Sequence, residues 1–193
     1  KARSRTRTVG FGDNGCSPSL FIRPHNTRQG VKGFVTIMKG CNNFCSYCVV
    51  PFVRGREESR PSVDVLSEVR EMADRGIVEV TLLGQNVNSY NNGKSDLSFP
   101  QLLKEIDSIP GISRIRFVTS HPKDISAELI ACFGTLKTLC ESVHLPFQSG
   151  SDRILASMNR GYTASEYLGS VEALKKQCPG IALTADCIVG FPG

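Results

Sequence analysis

The chain has 193 residues, 40% of them hydrophobic and 21% charged, which is the composition of a globular protein. No stretch reaches the ~18 apolar residues of a membrane span and no signal peptide is visible, so a membrane or secreted protein is not expected. That length supports one sizeable core but falls short of the about 250 residues of a complete eight-stranded α/β barrel. The net charge of +5 permits a nucleic-acid partner without demanding one.

Residues 1–32 carry Gly10, Gly12, Gly15, Pro18, Pro24 and Gly30 with little periodicity and read as a linker or the tail of a preceding domain. The basic run Lys1–Arg7 fits a solvated linker or a phosphate-binding arm. Cys16 has no second cysteine at ligand spacing and is expected to be inert. From Gly33 onward strand and helix patterns alternate, the sign of βα units on a parallel sheet.

A first strand is expected at 34–38, followed by Cys41, Cys45 and Cys48 in C-x3-C-x2-C spacing and a basic loop with Arg54, Arg56 and Arg60. Ser62 is placed as the cap of a helix over 63–75 that Gly76 ends. A second strand over 77–83 runs into Gly84-Gln85-Asn86. Asn91, Asn92 and Gly93 mark a loop, and Pro100 opens a helix closed by Pro110-Gly111. The third strand, 115–118, ends in Thr119-Ser120-His121-Pro122. A helix near 126–133 and a strand near 142–145 follow. Ser151 is placed as the cap of a helix over 152–158, and Thr163 with Glu166 has capping-box spacing for one reaching about Gln177. The fifth strand is expected over 181–189. Five strands with four helical connections fit a partial (β/α) barrel, truncated before its last unit, so the chain is expected to be a fragment with its core over 33–193.

Three thiolates this close can converge on one soft metal centre. A structural zinc site takes four ligands, whereas three thiolates on a four-iron cubane leave one iron open. A zinc-binding interaction module, non-catalytic and completed by Cys16 or a partner chain, is the competing class. Cys132, Cys140 and Cys187 read as small core residues in a reducing compartment, which places the protein in the cytoplasm. His25 and His121 read as surface histidines without ligand spacing.

The run GCNNFCSYCVVPFVRGREESRP (40–61), with Tyr47 before the last cysteine, resembles the radical S-adenosylmethionine (SAM) signature and its methylthiotransferase branch. Within that branch GQNVNSY (84–90), TSHP (119–122), HLPFQSGSDRIL (144–155) and MNRGYT (158–163) resemble the MiaB type, which adds a methylthio group to C2 of N6-isopentenyladenosine beside the tRNA anticodon. Enzymes acting on threonylcarbamoyl-adenosine or on a ribosomal protein are the nearer alternatives.

The resemblance implies a radical SAM barrel in which Cys41, Cys45 and Cys48 hold a [4Fe–4S] cluster that cleaves SAM to a 5′-deoxyadenosyl radical. It implies SAM contacts from Tyr47, from Gly84, Gln85 and Asn86, from Ser120 and Gln148, and from Ile188 against the adenine. Each has a plainer account: a βα turn for Gly84, a turn cap for Ser120, an exposed loop residue for Gln148 and a core side chain for Ile188. Arg54, Arg56 and Arg60 are candidates for substrate phosphates, or for local pairing with Glu57 and Glu58. A second [4Fe–4S] cluster, whose ligands are absent from this chain, is implied as sulfur source, together with a tRNA anticodon stem-loop and an electron donor such as a flavodoxin or ferredoxin. A monomer is expected, able by itself to support SAM cleavage at most.

Overall fold

The short runs KGFVT, EVTLL and RIRF each alternate between two faces, and their alternate residues fall into register in a parallel sheet. The computed structural model describes residues 30–91 and 95–193, so Lys1–Arg7, Cys16, His25, Asn92 and Gly93 lie outside the described residues. Strand β1 (Lys32–Thr36) pairs with β4 (Glu79–Leu83), and β4 with β5 (Arg114–Phe117). Backbone bonds from Ile115 N–H to the Thr138 carbonyl and from Cys140 N–H to the Ile115 carbonyl continue the array. They lead to β6 (Ser142–His144), which pairs in parallel with β7 (Ala182–Thr184). The three-stranded sheet β1-β4-β5 and the two-stranded pair β6-β7, linked through the Ile115–Leu139 bridge, follow the sequential parallel order of the expected barrel wall.

Val35, Leu82 and Phe117 lie side by side on the outer face and are buried under helices α2 (Ser62–Asp74), α3 (Phe99–Asp107) and α4 (Ala127–Thr135). These helices contribute Val65, Val69 and Met72, then Leu102, Leu103 and Ile106, then Leu129 and Phe133. Burying each such side chain stabilises by about 1.5–3 kcal/mol. On the inner face Phe34, Thr81 and Arg116 are in register and exposed or half-exposed. The sheet is therefore packed on its convex side and open on its concave side, the wall geometry of a barrel whose interior receives other groups.

Local signals largely act as expected. Thr163 and Glu166 form the capping box of α6 (Ala164–Gln177), and Ser126, not read as a cap from the sequence, caps α4 by accepting from Leu129 N–H. Gly76 takes φ +83° after α2. Ser62 does not cap α2. It is the first helical residue, Pro61 holds the cap position, and the Ser62 hydroxyl donates to Asp96 Oδ1 at 2.5 Å. Helix α5 (Asp152–Ser157) begins after Ser151, whose side chain makes no cap bond.

Two elements depart from the sequence reading. A two-residue hairpin, β2 (Met38–Lys39) with β3 (Glu58–Ser59), brackets the cysteine loop, and a short helix α1 (Val50–Arg54) lies inside it. The fifth parallel strand is three residues long and not nine. Beyond it only a bridge between Cys187 and Gln148 continues the pairing. Cys132 is buried as expected, but Cys140 is half-buried and Cys187 exposed, because the concave side is open there. Among the described residues no helix is long and apolar enough to cross a membrane.

Candidate functional site

The cysteine loop is gripped at both ends. At its neck Lys39 Nζ meets Glu58 Oε2 at 2.8 Å, Cys41 N–H donates to the Gly55 carbonyl, and Asn42 and Glu57 exchange bonds between their backbone N–H groups and side chains. Gly40 sits at φ +74°, and a Cβ there would overlap the Arg56 carbonyl oxygen, so only glycine closes this neck. Gly40 N–H donates to Gln85 Oε1 at 2.6 Å. The far side rests on the turn after α5. Ser46 N–H donates to the Met158 carbonyl, and Asn159 Nδ2 donates to the carbonyls of Asn43 and Phe44 at 3.1 and 3.0 Å.

Cys45 is buried, Cys41 and Cys48 are half-buried, and all three are free thiols. Burial pushes the Cys41 thiol up. Asn43 N–H, 3.5 Å from its sulfur, opposes this, while Glu57, Cys45 and Cys48 add to it. The thiols thus feel one another's charge, and three thiolates in this space require a cation. Among the described residues no group of three or more His, Cys, Asp or Glu side chains is already placed to hold a metal ion, so the three sulfurs share one loop without forming a preformed cage. N–H donors to sulfur are what an iron–sulfur site uses to hold and tune its ligands. Arg160 Nη1 donates to Cys45 Sγ at 3.4 Å, and His121 Nε2 lies 3.8 Å from the same sulfur. The donor set fits a cubane held by three thiolates.

The residues expected to meet SAM follow successive strand ends. Asn86 Oδ1, Ser120 Oγ and Gln148 Oε1, after β4, β5 and β6, are buried polar atoms without a hydrogen-bond partner among the described residues. Each such atom costs about 1–3 kcal/mol unless something meets it. Thr119 and Gln148 adopt φ +71° and +65°, and strained backbone of this kind concentrates at functional sites. Polar atoms held unsatisfied at the carboxyl ends of barrel strands fit a polar cofactor. Gln148 is buried, not an exposed loop residue, and Ile188 is half-buried instead of a core side chain.

Other expected residues have structural duties. A Cβ on Gly84 would lie 2.5 Å from Met38 Cγ, so glycine here makes room for Met38 at the strand end. Gln85 braces the loop neck. Asn86 Nδ2 donates to Asp124 Oδ2 at 2.6 Å, leaving Oδ1 as its available atom. The Tyr47 hydroxyl accepts from Arg160 Nη1 at 3.2 Å, and burial, opposed by the Arg160 charge, pushes its phenol up to about 12. Arg60 is buried, with Nη1 2.7 Å from Glu68 Oε2 and 2.8 Å from the Thr36 carbonyl. It is an internal strut and not a phosphate contact. Arg54 and Arg56 are exposed, and neither makes an ion pair with a described acidic residue. Local pairing is not what occupies them, since Glu57 is bonded to Asn42 and Glu58 to Lys39.

The family model for the radical SAM superfamily matches residues 35–193. The chain belongs to the radical SAM superfamily. It is 58% identical over 192 residues to the tRNA-2-methylthio-N(6)-dimethylallyladenosine synthase of Syntrophus aciditrophicus, covering 99% of this chain and 42% of that protein. It is 59% identical over 190 residues to the synthase of the same name from Geotalea uraniireducens, covering 98% and 43%. The chain thus spans about two-fifths of the length of these curated relatives. Among solved structures, the radical S-adenosylmethionine methyltransferase TsrM from Kitasatospora setae, with tryptophan substrate and a SAM analogue, superposes with TM-score 0.67 at 21% identity over 84% of this chain and 31% of that one. The radical enzyme OxsB with aqua-cobalamin and S-adenosylmethionine gives 0.64 at 12% identity over 80% and 23%. At these identities the likeness is one of fold.

Within this radical SAM chain, three residues beside the cysteines escaped the sequence reading. His121, read as a surface residue, is buried. Burial, with the Arg160 and Lys123 charges, pushes its imidazole down to about 3, so the ring is neutral at neutral pH. Its Nδ1 accepts from Lys123 N–H, which leaves the proton on Nε2, towards Cys45. Arg160 is buried as well, and it also donates to the Pro146 carbonyl and, through Nε, to the Tyr162 hydroxyl. Tyr162 in turn stacks edgewise on His121. The MNRGYT run carried the signal, since an arginine between a helix end and a glycine has few reasons to be internal.

Proposed function

We propose that this chain is the radical SAM core of a methylthiotransferase that acts on C2 of N6-isopentenyladenosine beside the tRNA anticodon. The observation that carries the reading is the three-cysteine loop whose Cys45 lies under the N–H groups of Arg160 and His121, beside polar atoms at the neighbouring strand ends that lack partners among the described residues. The names of the relatives at 57–59% identity support the substrate.

Cys41, Cys45 and Cys48 would hold a [4Fe–4S] cluster, which when bound would supply the one-electron chemistry needed to reach a C–H bond that no ordinary base can deprotonate. The chain's residues bind and orient. Asn86 Oδ1 and Gln148 Oε1 accept from N–H or O–H groups of SAM, the Ser120 hydroxyl donates to or accepts from it, and Ile188 packs on its adenine. Arg160 and His121 fix Cys45 and exclude water from it. Sulfur comes from a second [4Fe–4S] cluster held outside this chain, and a flavodoxin- or ferredoxin-type protein delivers electrons.

The test is to incubate the whole protein, clusters reconstituted, with SAM, a reductant and isopentenylated tRNA, then digest the tRNA and weigh its nucleosides. A methylthiolated adenosine that disappears with Cys45→Ala is expected. Product found only on threonylcarbamoyl-adenosine, or on a protein substrate, would redirect the reading to those enzymes.

A further inference from the structure

Between the second and third cysteines' flanks the loop presents aromatic rings outward instead of burying them. Phe52, on α1, is 78% exposed and Phe44 39% exposed. Their rings meet edge to face with centroids 6.2 Å apart, and the Arg56 guanidinium stands 5.8 Å from the Phe44 ring centroid. Phe44 is held at φ +47°, unusual for a bulky side chain, and Asn159 locks that backbone by donating to its carbonyl. The fold therefore keeps strained backbone at a residue whose ring reaches solvent, one position from Cys45. Arg54 and Arg56 flank the pair as exposed cations with no described acidic partner.

Exposed aromatic faces beside exposed guanidinium groups are the chemistry that recognises unpaired nucleobases and their phosphates. An apolar protein partner would not need the cations. A duplex would not need the rings. We propose that Phe52 and Phe44, with Arg54 and Arg56, form a stacking platform that receives an unstacked base neighbouring the target adenosine in the RNA loop. The platform rests on the tRNA reading of the site and adds to it the surface that grips the loop. Phe52, the more exposed ring, offers the face for stacking. Phe44 and Arg56 fix its edge, and the arginines meet the flanking phosphates.

The experiment measures binding of a labelled anticodon stem–loop bearing N6-isopentenyladenosine to the whole, cluster-loaded protein by fluorescence anisotropy at several salt concentrations. Phe52→Ala and Phe52→Leu are both expected to weaken binding about 5- to 150-fold, the range for losing one stacked base, whereas Phe52→Trp retains it. Arg54→Gln with Arg56→Gln makes the slope of log affinity against log salt shallower by about 1.4. Iron content and circular dichroism confirm that each variant is folded. Phe52→Leu keeps apolar bulk, so the comparison stands even where Phe52→Ala does not fold. Wild-type affinity in the Leu variant would overturn the platform and assign this face to an apolar protein contact. An unaltered protein that binds no stem–loop would instead overturn the tRNA reading itself.

Discussion

The two ends of the same sheet are built to opposite standards. Where α2, α3 and α4 cover the strands, the one buried side-chain atom without a hydrogen bond among the described residues, Glu68 Oε2, lies 2.7 Å from Arg60 Nη1 in an ion pair. Glu68 is paired with Arg60, Ser62 binds Asp96, and Asp107 accepts from both the N–H and the hydroxyl of Thr138. At the carboxyl ends of the strands Asn43, Asn86, Asn88, Ser120 and Gln148 hold buried polar atoms without hydrogen-bond partners among the described residues, and Phe44, Thr119, Gln148 and Asn159 adopt positive φ. Two buried arginines make the contrast concrete. Arg60 is met by a carboxylate, whereas the hydrogen-bond partners of Arg160 are a thiol, two phenols and a carbonyl. The packed side closes on itself, and the cysteine side is finished only by what binds there.

Breaking the packed side should cost most. Arg60→Ala leaves Glu68 buried and uncompensated, and a loss of about 3–5 kcal/mol is expected in urea denaturation. Next comes the loop neck. Gly40→Ala forces a Cβ at positive φ against the Arg56 carbonyl, with an expected loss of about 2 kcal/mol and lowered iron uptake on reconstitution.

A pair of serines sharpens the comparison further. Ser62→Ala removes the hydroxyl bond to Asp96 while the backbone N–H bond stays, and should destabilise by about 1.5 kcal/mol. Ser120→Ala removes an unsatisfied hydroxyl, so the unliganded protein should be unchanged or gain up to about 1 kcal/mol while SAM binds more weakly. Thermal unfolding with and without SAM reads both. Equal losses in the two variants would erase the distinction between the ends.

The smallest effect concerns pH. Burial raises the Glu79 carboxyl, but Lys32, Arg116 and Arg114 outweigh it and hold it below the usual carboxylate range. Its folded-state value is depressed, so its stabilisation is present above its unfolded value near 4.5 and lost as pH falls through the folded one. Glu79→Gln should lose stability at pH 7 and show a shallower decline below about pH 4.5 than the parent in a pH series of denaturation midpoints.

How much of this was legible depends on whether a signal is local. The strands expected at 77–83 and 115–118, which form over 79–83 and 114–117, and the Thr163–Glu166 box rest on signals within a few residues and were readable. So was the cysteine spacing, because ligands that close in sequence need little else from the fold. The β2–β3 hairpin was not, since strands of two residues carry no period and their closure depends on Gly40 meeting Arg56. His121 and Arg160 were missed for a related reason. A single histidine or arginine has no spacing, and its burial is decided by contacts with Cys45, 76 and 115 residues away in sequence. Ser62 was misplaced by one position because Asp96, and not its own helix, takes its hydroxyl.

The most direct test is anaerobic iron–sulfur reconstitution of the chain followed by an assay for 5′-deoxyadenosine with SAM and dithionite. A brown protein that forms it, and loses both cluster and product with Cys45→Ala, is the predicted result. A colourless protein that takes up one zinc and leaves SAM intact would contradict the account.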